Sequence, residues 1–175
     1  MIEKYKNENA FSAVEDLLLV PTPIDEMTIT SGFAGQVIKR FPLVDVKIRE
    51  RGGLEASEIL IVGNLGSEQR WIPAYSLALC GIHRQQQNGW KDSPEYLQIG
   101  LDKLAKRFTG KKLATAGIPG TGYSGLRGDA SPEEIKAVLD NHEMLVTVYQ
   151  DSLSGDREEL IYADPSLSEG AELKI

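Results

Sequence analysis

Five of the seventeen glycines fall within the twelve residues 117–128, GIPGTGYSGLRG, and the flanks of that stretch restrict what the chain can fold into. Residues 112–118 before it make an apolar run that reads as a buried strand. After it comes Ser131-Pro132-Glu133-Glu134. There Ser131 caps a helix, Pro132 fits its first turn and Glu134 closes a capping box. Ile135, Val138 and Leu139 then recur at helical spacing. Strand, glycine loop and helix in that order make a phosphate seat in α/β proteins. Glycines let backbone N–H groups approach an anion, and the helix start adds a favourable dipole. A plain turn is the alternative for any such loop taken alone.

A chain of 175 residues is expected to form one domain with a sizeable core. The net charge of −7 argues against broad nucleic-acid binding, which needs a basic surface to displace counterions. One cysteine, Cys80, excludes an internal disulfide and a cysteine-cluster metal site. No run of eighteen apolar residues predicts a membrane span, and the polar start MIEKYKNENAF does not read as a signal peptide. The expectation is a soluble, cytoplasmic protein that needs no cofactor.

The pattern predicts a short helix over residues 11–17 and a buried strand over 17–20, stopped by Pro21-Thr22-Pro23. A polar loop leads to SGFAGQVIKRFP, in which Phe33, Val37 and Phe41 share a helical face and Pro42 ends the helix. Residues 44–48 are read as a strand or a helix extension. Residues 58–62 and 70–79 read as strands and 85–91 as a polar loop. Ser93-Pro94-Glu95 opens a helix with Leu97, Leu101, Leu104, Ala105 and Phe108 on its buried stripe. The last strand is 144–149. Strands alternating with helices predict a three-layer α/β/α sandwich around a mixed sheet. Its expected extent is residues 1–150. Residues 151–175 form an acidic extension in which 160–163 are a candidate edge strand.

Ligands of such sheets settle at the carboxyl ends of strands. Two loops qualify, residues 22–35 and residues 117–128, and together they would hold a diphosphate from two sides. Gly32 and Gly35 permit close backbone approach, and Ser31 either caps the helix or bonds a ligand oxygen. No G-x-x-x-x-G-K-[ST] occurs, so this is not a P-loop. G-x-G-x-x-G does occur at Gly120–Gly125, but no acidic residue ends a following strand about twenty residues on.

Three segments resemble the macro domain family, whose members bind ADP-ribose. SGFAGQVIKRFP is similar to the family's first loop and helix, IPGTGYSGL to its second loop, and SPEEIKAVLDNHEMLVTVYQ to its closing helix and last strand. The resemblance implies that Pro119, Gly120, Thr121, Gly122, Tyr123, Ser124 and Gly125 wrap the diphosphate and distal ribose, with Tyr123 packed on the ribose. It implies that Ser31, Gly32, Phe33, Ala34 and Gly35 face the diphosphate from the other side. Asp25 is then either an acceptor for the adenine amino group or a turn residue. Two departures stand out. The stretch VPTPIDEM lacks the asparagine pair of many members, and GYSGLRGDAS lengthens the closing loop.

Hydrolysis at an anomeric carbon needs a carboxylate to attack or to activate water. Asp129 is the candidate, with helix capping as its alternative role. His83 is a candidate for proton transfer, with packing as its alternative. His142 and Cys80 read as structural, and no spacing of residues predicts a metal. Three functions fit: hydrolysis of an ADP-ribosyl protein or of ADP-ribose 1″-phosphate, non-catalytic binding of ADP-ribose, and a scaffold for protein interaction.

Overall fold

Along β2 (Leu17–Pro23) successive side chains enter different cores. Leu18 and Val20 pack on one side of the sheet, Leu17 and Leu19 on the other, as the two-residue period of a strand requires. In β4 (Ser76–Gln86), Leu77 and Leu79 join the first set, while Ala78, Cys80 and Ile82 join the second. A sheet buried on both faces needs a helical layer on each. Helices α1 (Gly32–Arg40) and α2 (Leu43–Arg51), with a 3₁₀ turn at Ala10–Ser12, cover the first face. Helices α3 (Pro94–Arg107) and α4 (Pro132–Asn141) cover the second. The computed structural model describes residues 1–30, 32–63, 73–86, 89–118 and 132–150, and they form the three-layer α/β/α sandwich predicted from the sequence.

Seven strands are described. β1 (Ile2–Lys6), β7 (Val146–Tyr149), β6 (Leu113–Ala116), β2 and β4 lie side by side in that order, all parallel. β3 (Ile59–Val62) and β5 (Gly89–Asp92) each pair antiparallel with β4, β3 alongside residues 77–80 and β5 alongside residues 83–86. From β2 the chain crosses the first face toward β3 and β4. From β4 it returns over the second face to β6, and α4 then leads to β7. Two helices on opposite faces for opposite directions of travel is what right-handed crossovers demand.

Both long helices follow their sequence signals. Ser93 caps α3 by accepting from the Tyr96 N–H at 3.1 Å, Pro94 occupies the first turn, and Leu97, Leu101 and Leu104 are buried. Ile135 and Leu139 bury the inner face of α4. Pro42 ends α1 as expected, but the chain turns straight into α2, which settles residues 44–48 as helix. Three expectations are corrected. Pro21 and Pro23 lie inside β2 instead of stopping it. Residues 85–91 are mostly the β4–β5 hairpin and not a loop. The expected helix over 11–17 is a single 3₁₀ turn, because Leu17 is already in the sheet. Strand β1, unpredicted, is an edge strand with a mostly exposed, charged sequence that hides its period. Residues 160–163 lie outside the described residues.

Candidate functional site

The site follows from where two neighbouring strands stop being neighbours. β2 pairs with β6 only through Leu17–Leu113, Leu18–Ala114 and Leu19–Thr115, whereas its register with β4 continues to Pro23. The Leu17 N–H donates toward β6, to the Lys112 carbonyl at 3.1 Å, and the Ile24 N–H donates toward β4, to the His83 carbonyl at 2.8 Å. Pro21 and Pro23 are in phase with Leu17. Their nitrogens therefore face β6 in the stretch where no ladder remains, so the missing N–H groups take nothing from the sheet. The two strands stop pairing there, at their carboxyl ends, and we call the place between them the slot. The chain leaves β2 for helix α1 on the first face and leaves β6 for helix α4 on the second. That is the topological switch point at which α/β sheets hold ligands.

Helix α1 is the next element after β2. Gly32 has a φ of +72°, which favours glycine. Phe33 is fully buried, its ring centroid 5.4 Å from that of Phe11, so only its backbone faces the loop side. Ala34 is buried too. A Cβ on Gly35 would stand 2.9 Å from the Thr30 carbonyl carbon. The small residue at 35 lets the helix close onto the incoming loop. The first-turn N–H groups of a helix have no partner within the helix and carry its positive dipole end. Lys39 and Arg40 complement the other end. The opposite wall starts at Gly117, φ +70°, whose N–H donates to the Tyr149 carbonyl at 2.9 Å. Ser31, residues 119–125 and Asp129 lie outside the described residues.

His83 lies within β4 instead of following a strand, and it is 0% exposed. Burial pulls its pKa down to about 3, and a hydrogen bond to the backbone of Pro21 opposes that shift. Proline offers only a carbonyl, so the imidazole is the donor. His83 is thus a neutral group tied to the β2 backbone beside the slot. Asp25, with a φ of +61°, is exposed, and its N–H donates to the Leu54 carbonyl at 2.7 Å. It lines an open depression of about 420 Å³ with Arg51, Gly52, Gly53, Glu55 and Glu58. No α1 residue lines that depression, so the structure does not bring Asp25 together with Gly32–Gly35 there. Burial lifts the Cys80 thiol to about 12 and leaves it inert.

Sequence reading passed over two features. One is the slot-facing pair Pro21 and Pro23, whose signal was their spacing of two. The other is the Tyr149 hydroxyl, which donates to the Glu15 carboxylate at 2.6 Å in a buried pair. Burial raises the Tyr149 pKa, and the Glu15 carboxylate raises it further, so the phenol keeps its proton. This pair ties the end of β7 to the entry of β2. No group of residues able to hold a metal occurs among the described residues.

No protein-family model matches the sequence, and no curated protein matches it. Solved structures do match. The macrodomain of Thermus aquaticus DarG superposes with a TM-score of 0.54 at 22% identity, covering 84% of this chain and 97% of that one. A macrodomain protein from Streptomyces coelicolor gives 0.61 at 14% identity, covering 86% and 99%. The chain has the macrodomain fold. Thermosipho africanus DarTG, solved in complex with ADP-ribose, gives 0.58 at 19% identity, covering 81% of this chain and 39% of the larger one. Among the described residues no helix is long and apolar enough to cross a membrane.

Proposed function

We propose that the protein binds ADP-ribose, or a derivative of it, in the slot between β2 and β6, and that it hydrolyses the derivative. The observation that carries this reading is the parting of β2 and β6 at a switch point entered by a glycine-led helix. DarTG of Thermosipho africanus, a structure of the same fold, was solved with ADP-ribose. In this reading the N–H groups at the start of α1 and those of residues 120–125 hold the diphosphate. Tyr123 packs on the distal ribose and Asp25 meets the adenine amino group. Asp129 activates a water that attacks the anomeric carbon, and the displaced protein carboxyl or phosphate leaves with the electron pair of the broken C–O bond. His83 holds the Pro21 carbonyl in place beneath the reacting sugar and stays neutral. The substrate is an ADP-ribosylated protein or a phosphorylated ADP-ribose, met in the cytoplasm.

Titration calorimetry with ADP-ribose tests the binding. The wild type should bind and Gly122→Glu should not, because a side chain and a negative charge would enter the diphosphate seat. A folded Gly122→Glu protein that binds like the wild type places the site elsewhere. Asp129→Ala tests the chemistry. It should keep affinity within a few-fold and lower turnover by about a hundredfold or more. A helix cap at this position would instead lower stability by about 1 kcal/mol and leave turnover per folded molecule unchanged. The second reading, binding without turnover, is favoured by the absence of asparagine in VPTPIDEM. A wild type that binds ADP-ribose but releases nothing from an ADP-ribosylated protein or from ADP-ribose 1″-phosphate establishes it.

A further inference from the structure

Acids outnumber bases in the chain, 26 to 19, yet residues 103–112, KLAKRFTGKK, hold five cations and no acid. Helix C-termini attract cations, which accounts for Lys106 and Arg107 in the last turn of α3. It does not account for Lys111 and Lys112, which stand beyond the helix. Lys106, Lys111 and Lys112 line a cavity of about 720 Å³ at the amino ends of β6 and β7, at the other end of the sheet from the slot. Lys112 has Glu3 at 3.8 Å, while Lys106 and Lys111 make no ion pair among the described residues. The cavity is lined on its apolar side by Ala105, Phe108, Met144 and Leu145, with Asp102 and Glu143 as its acids.

Such a cavity matches apolar side chains flanked by carboxylates. Residues 151–175 hold seven acids and two bases, and their segment 158–164, EELIYAD, sets Leu160, Ile161 and Tyr162 between Glu158-Glu159 and Asp164. The reach is sufficient. Leu145 lines the cavity and immediately precedes β7, so the chain leaves the sheet one strand length away, about 13 Å for four residues. Residues 151–157 span roughly 23 Å when extended.

We propose that this basic cavity is a docking surface whose occupant is the chain's own segment 158–164. Exposed ion pairs are individually weak, so the apolar contact fixes the segment and the charges select it. The test uses the full chain at low concentration with a zero-length carbodiimide cross-linker. Links should form within one chain from Glu158, Glu159 or Asp164 to Lys106, Lys111 or Lys112. They should fade in about 1 M salt, where the screening length falls to about 3 Å. In parallel, trypsin should cut after Arg157 at least about fivefold faster in the triple variant Lys106→Glu, Lys111→Glu, Lys112→Glu than in the wild type. The tail variant Glu158→Gln, Glu159→Gln, Asp164→Asn leaves the described fold untouched and should show the same acceleration. Links only between chains, links only to other lysines, or unchanged cleavage in the tail variant each overturn the proposal.

Discussion

His83 is the residue on which the stability of this protein should turn in mild acid. Its imidazole is fully buried, and its pKa of about 3 lies well below the free value of about 6.5. The unfolded chain therefore binds a proton that the folded chain refuses, so stability falls as pH drops below about 6.5. By pH 5 the loss through this one group is about 2 kcal/mol, from about 1.4 kcal/mol per unit over about one and a half units. Burial raises the Glu58 pKa but the Glu55 N–H and Arg51 lower it further, so its contribution is lost as pH falls from the ordinary carboxylate range downward, below pH 5. Urea unfolding at pH 7.5 and pH 5.0 reads the difference. The wild type should lose about 2 kcal/mol and His83→Gln, which keeps a donor for the Pro21 carbonyl, much less. Equal losses in both would assign the acid sensitivity to other groups.

Strand β2 shows how a rule about single residues depends on the element around them. Proline reads as a stop signal because it removes a ladder donor, yet at 21 and 23 the donor would have pointed into the slot. Tolerance should therefore alternate along the strand. Pro21→Ala should change stability by less than about 1 kcal/mol, the scale of the lost rigidity in the unfolded chain. Thr22→Pro removes a bond toward β4 and should cost about 3 kcal/mol or more. Thermal unfolding of the two variants side by side decides it, and a Thr22→Pro protein as stable as Pro21→Ala would refute the phase assigned here. The same dependence explains what the sequence disclosed. Helices α3 and α4 were legible because cap, first-turn proline and apolar stripe agree, and Gly32–Arg40 because its apolar face is continuous. The β4–β5 hairpin was not, since Gln85 and Gln86 carry no strand signal of their own and pairing alone makes them strand. His83 reads in sequence as a candidate for proton transfer, and its full burial and its tie to Pro21 become legible only once β4 is placed inside the sandwich.

At the scale of the whole molecule, the proposed binding of ADP-ribose between β2 and β6 would couple ligand to fold. The two walls of the slot belong to halves of the sheet joined through the three pairs between β2 and β6, so a ligand that bridges the walls binds the folded chain and has no site in the unfolded one. Saturation with ADP-ribose at about a hundred times its Kd should add about 2.7 kcal/mol, which for a chain of this size raises Tm by roughly 5–10 °C. Gly122→Glu should abolish that increment, and an equal rise in the variant would locate binding away from the slot.

The parallel pairing of β1 with β7 has a consequence in time. Ile2 meets Val146 and Lys6 meets Tyr149, so the first strand of the chain has no seat until nearly all of the described sequence exists. Closing so long a loop is slow relative to local pairing. Until β7 has been made, residues 2–6 therefore lack the one sheet partner described for them. Glu3, Lys4 and Lys6 suit that interval, because charges along a waiting edge discourage it from joining a neighbouring nascent chain.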